Sequence, residues 1–200
     1  MEKSFAWSFM KITEDEHALL QRIRHPENIP TYLTNTNKRL EFIAARVLLN
    51  ELLNTWDLNY RGLTKDEFGK PFLIGYNFQI SLSHSYPYVA AVIDKKRTVG
   101  IDLEQPKAKL LRIASRVLAS DELEDAGTDI VKHCVYWCAK ESLVKVHGKK
   151  DLTFSENLII DRFSLENEGE LIGRIIVNNS ETAIPLQYFV HESFVVVLSK

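Results

Sequence analysis

Two short stretches carry acids and cations at spacings that suit a phosphate and metal site: TVGIDLEQP at residues 98–106 and WCAKESLVK at residues 137–145. In an extended strand, Gly100, Asp102 and Glu104 point one way, and Val99, Ile101 and Leu103 the other. Two carboxylates then share a face, beside a glycine that lets another group come close. A hard divalent ion such as Mg²⁺ takes carboxylate oxygens at about 2.0–2.1 Å and keeps other positions for water and phosphate. The same pattern also describes an exposed strand face with two ordinary acids. In a helix, Trp137, Glu141 and Lys145 form one i,i+4 row, with Lys140 and Val144 beside it. On the functional reading, Glu141 joins Asp102 and Glu104 as a third metal carboxylate, and Lys140 and Lys145 aim at the phosphates that the metal bridges. The plainer reading is a charged surface face anchored by one tryptophan, its Glu141–Lys145 pair worth about 0.2–0.5 kcal/mol.

SLSHS (Ser81–Ser85) places Ser83 and His84 at a strand end. His84 is either a donor to a phosphate oxygen or an ordinary packed or solvated histidine. The chain has no G-x-S-x-G, so Ser83 is not read as a nucleophile. FGKPF sets Lys70 between Gly69 and Pro71. It is not a Walker A loop: Thr64 stands where the first glycine would be, and Pro71 where Ser or Thr would. A lysine on a stiff turn suits a phosphate, although most such tripeptides are turns and nothing more. Arg39 and Arg46 are seven apart, so both can project from one face of a helix. Cys134 and Cys138, four apart, read as half-buried helix cysteines or, with His133, as metal ligands.

The elements that must position these residues follow from periodicity and punctuation. A short helix is expected over Thr13–Arg24, broken by His25–Pro30. A longer one is expected over Asn37–Leu53, with Leu40, Ile43, Ala44, Val47, Leu48 and Leu52 as its buried stripe. Gly62 to Pro71 is turn-rich. Phe78, Ile80 and Leu82 alternate with polar residues, as a strand does. Tyr88–Ile93 and Thr98–Glu104 read as a hairpin around Asp94–Arg97. Helices follow at Leu110–Leu118, Asp121–Ala126 and Asp129–His147, the last closed by Gly148. Strands near Leu158–Leu165, Leu171–Val177, Leu186–Val190 and Phe194–Leu198 end the chain. This order is α+β rather than regular βαβ. A break near Gln105–Pro106 separates an N-terminal subdomain, 1–105, from a C-terminal one, 106–200, and their similar size suggests two similar subdomains.

Composition bounds the rest. The 200 residues are 45% hydrophobic and carry a net charge of −2, so no global basic field for nucleic acid exists. The apolar runs are too short to span a bilayer, which takes roughly 20 residues. MEKSFAWSFMKITEDEH lacks a continuous apolar core and turns acidic early, so it is not read as a signal peptide. With two cysteines and no disulfide framework, a reduced, cytoplasmic protein is expected.

Taken together and in order, GKP (Gly69–Pro71), SLSHS, GIDLE (Gly100–Glu104) and WCAKESLVK make the chain resemble the 4′-phosphopantetheinyl transferases. The likeness is to the long, two-subdomain, surfactin-synthetase-activating type that acts on carrier proteins of peptide, polyketide and fatty-acid synthases. EFIAARVLL (Glu41–Leu49) is similar to the arginine-bearing helix of that family, and Ser81 stands where many members have asparagine. The resemblance covers about the middle half of the chain. It implies two related α+β subdomains, a pseudo-dimer with the active site between them, working as a monomer. It implies coenzyme A as donor, Mg²⁺ as metal, a serine on an apo acyl or peptidyl carrier protein as acceptor, and adenosine 3′,5′-bisphosphate as by-product.

On that resemblance Asp102, Glu104 and Glu141 hold Mg²⁺ across the pyrophosphate. Lys140 and His84 meet phosphate oxygens, with Lys145 and Ser83 close by. Arg46, or else Arg39, and Lys70 with Pro71 hold the 3′-phosphate. Glu141 takes the proton of the acceptor serine, directly or through a water. Lys107, Lys109, Arg112 and Arg116 follow GIDLE directly and read as a docking patch for an acidic carrier helix, or as a solvated basic face. Two rivals stand beside this. A non-catalytic coenzyme A-binding module would bind without turnover. A metal-dependent nuclease would also use Asp-x-Glu, but such enzymes often carry a lysine where this chain has Pro106, and the near-neutral charge argues against a nucleic-acid substrate.

Overall fold

A computed structural model describes residues 4–23, 27–149 and 151–200, and the chain divides into two compact units, Met1–Val99 and Gly100–Lys200. The first unit runs β1 (Phe5–Lys11), α1 (Glu16–Gln21), α2 (Thr36–Asn54), β2 (Leu63–Lys65), β3 (Pro71–Leu73), β4 (Gln79–Ser85) and β5 (Tyr88–Asp94). Its main sheet has the order β1-β5-β4, and β2 pairs with β3 in a separate hairpin. Asn35 starts α2 by accepting from the Lys38 amide at 3.1 Å, satisfying one of the donors that every helix start leaves open. The expected stripe of α2, from Leu40 to Leu52, is buried as one core with Ile80, Val89, Ala91 and Ile93 of the sheet.

The second unit runs β6 (Ile101–Glu104), α3 (Lys109–Val117), α4 (Ser120–Ala126), α5 (Ile130–His147), α6 (Phe154–Asn157), β7 (Leu158–Ile160), β8 (Glu168–Val177), β9 (Ser180–His191) and β10 (Phe194–Ser199). Its antiparallel sheet has the order β6-β10-β9-β8-β7. The core joins Cys134, Val135, Cys138, Ala139 and Leu143 of α5 to Val195 and Val197 of β10 and to Leu186 and Tyr188 of β9. Asp129 caps α5 through Val131 and Lys132, and Gly148 ends it in the left-handed region at φ 81°, a conformation that glycine adopts without a steric penalty.

The architecture is mixed α+β, as expected, but three details of the sequence reading change. Tyr88–Asp94 and Ile101–Glu104 do not form a hairpin. Both edges of β5 are taken, by β1 and β4, and β6 pairs with β10 instead. The strand β1 was not foreseen, because Phe5, Trp7 and Phe9 alternate with Ala6, Ser8 and Met10 and the apolar–polar contrast that marks a strand is blurred. Helix α1 is shorter than Thr13–Arg24, starting at its Asp15 cap; Arg24, His25 and Pro26 lie outside the described residues. No helix among the described residues is long and apolar enough to cross a membrane.

Candidate functional site

Strand β6 and helix α5 bring the GIDLE and WCAKESLVK residues of the second unit together. A Cβ on Gly100 would lie 2.0 Å from the Ser142 carbonyl oxygen, so the glycine is required by the helix. Its amide donates to Ser199 Oγ at 2.9 Å, while Ser142 Oγ donates to the Val197 carbonyl at 2.8 Å. At that spacing Lys145 Nζ reaches back to Asp102 Oδ1 at 2.8 Å and to the Ile101 carbonyl at 2.7 Å. Glu104 accepts from Lys109 Nζ at 3.0 Å and from the Gln105 amide at 2.9 Å.

One turn before Lys145, Glu141 has its carboxyl pushed up to about 7. Burial is the largest cause, the negative charge of Asp102 the next; Lys145 opposes and Glu104 adds. Asp102, Glu104, Glu141 and Lys145 are therefore one electrostatic group. The acids are not drawn into a closed ligand shell: among the described residues no three His, Cys, Asp or Glu stand close enough to hold a metal ion. Lys145 and Lys109 meet two of the three charges instead. Trp137 stacks on Phe154 at 5.8 Å between ring centroids, so the aromatic of this row packs α5 against the start of α6.

Lys140 departs from the expectation of a phosphate contact. It is fully buried. Its ammonium donates to the carbonyls of Phe154 at 3.0 Å and Leu158 at 2.7 Å, and lies 2.5 Å from Glu122 Oε2. An ammonium has three donors, and the unit's own acceptors take all three. Burial pushes its pKa down and Glu122 pulls it back up. Glu122 is itself buried, and accepts from the amides of Ala119 at 2.7 Å and Ile160 at 2.8 Å. Nothing in a single surface-type glutamate marked this pair in the sequence.

In the first unit, Ser83 and His84 alternate along β4 and present to opposite faces of the sheet, so SLSHS does not cluster them. Ser83 is buried, while the His84 side chain is 48% exposed. His84 Nδ1 lies 3.3 Å from Oε2 of Glu41, a buried acid on α2 that the sequence reading passed over. Lys70 closes the β2–β3 turn: its amide donates to Asp66 Oδ1 at 2.8 Å, and Pro71 opens β3. Partial burial lowers the Lys70 pKa, and Asp66 opposes the shift.

Arg39 and Arg46 do not share a surface face. Arg39 makes a two-pronged ion pair with Glu16, at 2.6 and 2.9 Å. Arg46 is buried. Its guanidinium lies over the Phe42 ring, donates to the Phe42 carbonyl at 3.0 Å and to Glu27 at 3.2 Å, and leaves Nε without a partner. The same Glu27 accepts from Tyr60 and from the Leu63 amide. Arg46 thus ties α2 to the segments around Glu27 and Tyr60.

Cys134 and Cys138 are fully buried rather than half-buried, and free. Their sulfurs face the carbonyls of Glu104 and Val195, and burial pushes the Cys138 thiol well up. His133 turns Nδ1 to the Asp129 carbonyl at 2.8 Å. The basic run splits. Lys109 is engaged with Glu104, whereas Lys107, Arg112 and Arg116 are exposed, with Leu111 exposed beside them on α3.

Residues 98–198, which include both stretches of the candidate site, match the family model described as the 4′-phosphopantetheinyl transferase superfamily. The chain is 28% identical over 146 residues to a 4′-phosphopantetheinyl transferase of Bacillus subtilis, covering 64% of this chain and 62% of that protein. It is 31% identical over 115 residues to 4′-phosphopantetheinyl transferase Sfp of Bacillus subtilis strain 168, covering 52% and 48%. A putative 4′-phosphopantetheinyl transferase of Haemophilus influenzae is 26% identical over 94 residues, covering 42% and 39%. The chain thus spans less than two thirds of the length of these relatives.

Proposed function

The chain belongs to the 4′-phosphopantetheinyl transferase superfamily, and on that footing we propose that it is a transferase of the long type. It moves the 4′-phosphopantetheine group of coenzyme A onto a serine of an apo acyl or peptidyl carrier protein and releases adenosine 3′,5′-bisphosphate. The observation that carries this reading is the contact of Lys145 with Asp102 at 2.8 Å. It ties the helix bearing Glu141 to the strand bearing Asp102 and Glu104, inside the matched segment.

The acids suit a hard divalent cation. All three offer only oxygen donors, and their mutual repulsion helps raise the Glu141 carboxyl to about 7. Asp102, Glu104 and Glu141 would hold Mg²⁺ once Lys145 and Lys109 give up the carboxylates they now meet, and the ion would supply charge neutralisation at the pyrophosphate oxygens. Transfer of this kind depends mainly on positioning and electrostatics. Lys145 donates to a phosphate oxygen, and Glu141 accepts the serine proton directly or through a water. In the first unit, half-exposed His84 donates to a phosphate oxygen, and Lys70 on its stiff turn meets the 3′-phosphate. The buried Lys140–Glu122 pair sets the seat of α5 and touches no substrate.

Each unit lays one long helix on an antiparallel sheet, which supports two related subdomains. Arg112 and Arg116, exposed on α3, form the docking patch for an acidic carrier helix. Reversing both to Glu raises the carrier KM at low salt and less so at high salt, because complementary charge acts mainly on association and is screened. An unchanged KM at low salt would place docking elsewhere. The reaction is tested by following adenosine 3′,5′-bisphosphate, which forms only when coenzyme A, Mg²⁺ and an apo carrier are all present. Coenzyme A binding with no such product would mark the binding-module reading.

A further inference from the structure

We propose that Glu41 is a positioning residue for His84: its buried carboxylate takes the Nδ1 side of the imidazole and leaves Nε2 turned outward as the donor to a phosphate oxygen. The identity of that phosphate rests on the transferase reading; the Glu41–His84 pairing does not.

Ile80, Leu82 and His84 share the face of β4 that packs toward α2. Ile80 and Leu82 belong to the core of the unit, and His84 stands at its open end with a side chain 48% exposed. Glu41 lies on α2 in the buried ridge with Ala44, Ala45 and Leu48, and is 2% exposed. Burying a carboxylate costs free energy, and an apolar side chain in such a position is often at least as stable. The partners around it offset that cost.

Glu41 is fixed on both oxygens. Oε1 accepts from the Tyr86 amide, in the turn between β4 and β5, at 2.9 Å. Oε2 is shared by Lys38 Nζ at 2.7 Å and His84 Nδ1 at 3.3 Å. An ionised carboxylate only accepts, so the ring hydrogen facing it sits on Nδ1. The tautomer and the ring plane are thereby set by a group that cannot itself swing away. An imidazole without such a partner favours its hydrogen on Nε2 when neutral. Lys38 adds an ammonium at the same carboxylate, so two donors converge on one edge of the unit. The outward Nε2 and the Lys38 ammonium together fit an anionic oxygen.

The test uses the whole chain labelled with ¹⁵N histidine, the His84 signals being those lost in His84→Ala. In the wild type the neutral ring carries its hydrogen on Nδ1. In Glu41→Gln, whose amide oxygen still accepts from the Tyr86 amide, the pattern moves toward Nε2. Coenzyme A binding, read by calorimetry, weakens about 10-fold in Glu41→Gln, the lower end of what losing an orienting partner costs. It weakens no further when Glu41→Gln is added to His84→Ala, since the effect acts through the ring. A ring pattern unchanged in Glu41→Gln overturns the proposal. So does an equal loss of coenzyme A affinity with and without His84. A chain that modifies no carrier would sink the transferase reading and leave the nitrogen pattern to decide this one.

Discussion

A Cβ on Gly100 would stand 2.0 Å from the carbonyl oxygen of Ser142. Strand β6 and helix α5 therefore touch backbone to backbone, and the contact of Lys145 with Asp102 depends on that closeness. Gly100→Ala must push helix and strand apart. The expected cost is at the upper end of the roughly 1–3 kcal/mol seen for overpacking, read as a lower urea midpoint, with transfer falling by more than the folded fraction does. An unchanged midpoint would mean that the two elements slide past each other freely.

Lys140 and Glu122 are each other's charge partner in a dry interior. Removing one leaves the other buried and unmatched, which costs about 3–5 kcal/mol. Lys140→Met and Glu122→Leu should each cost this much, and the double variant distinctly less than their sum. Urea denaturation of the four proteins closes the cycle. Additive losses would show that the two do not interact.

Glu141 ties pH to stability in the metal-free protein. Its carboxyl is raised from an ordinary 4.5 to about 7, so between those values the folded chain holds a proton that the unfolded chain releases. The stabilisation is complete below 4.5 and is lost as pH rises through about 7. With a chelator present, thermal unfolding should show a midpoint that falls over this window in the wild type and stays flatter in Glu141→Gln. Adding Mg²⁺ at about pH 8 should raise the wild-type midpoint, as any ligand of the folded state does, and raise that of Glu141→Gln far less. Equal responses of the two proteins would remove Glu141 from the metal set.

Lys70 and Arg46 separate by kind of effect. Lys70→Ala should weaken coenzyme A more than dephospho-coenzyme A, because only the former has the 3′-phosphate. Arg46→Ala leaves Glu27, itself only partly buried, with Tyr60 and the Leu63 amide, and should mainly lower the urea midpoint. Equal loss of both donors in Lys70→Ala would make that lysine a turn residue only.

What the sequence showed, and what it hid, follows from how each residue is satisfied. Helices α2 and α5 were legible, because the α2 stripe is periodic and Asp129 and Gly148 bound α5 with local signals; the α2 cap, Asn35, lies two residues before the expected start. The same-face pair Asp102 and Glu104 was legible from strand alternation. The partner strand of β6 was not, since β10 lies some ninety residues on and no local signal names it. Lys140 read as a surface cation because a helix row says which residues neighbour one another, not which face is dry. α5 is buried nearly all round, so its one inward lysine needed Glu122. Glu41 was missed for the matching reason: a lone acid in an apolar ridge resembles a boundary residue until His84, Lys38 and Tyr86 are seen around it. Gly100 was read as letting another group come close; that group is the Ser142 carbonyl of α5.

The transferase account stands or falls on the acceptor. The chain is incubated with coenzyme A, Mg²⁺ and several apo acyl and peptidyl carriers, and each carrier is weighed intact by mass spectrometry. The account predicts the mass of one phosphopantetheine group on the carrier serine with the wild type, and at least roughly 100-fold slower addition with Asp102→Ala, the scale of losing one transition-state stabiliser. No added mass on any carrier, under conditions where another transferase modifies the same carriers, would contradict it.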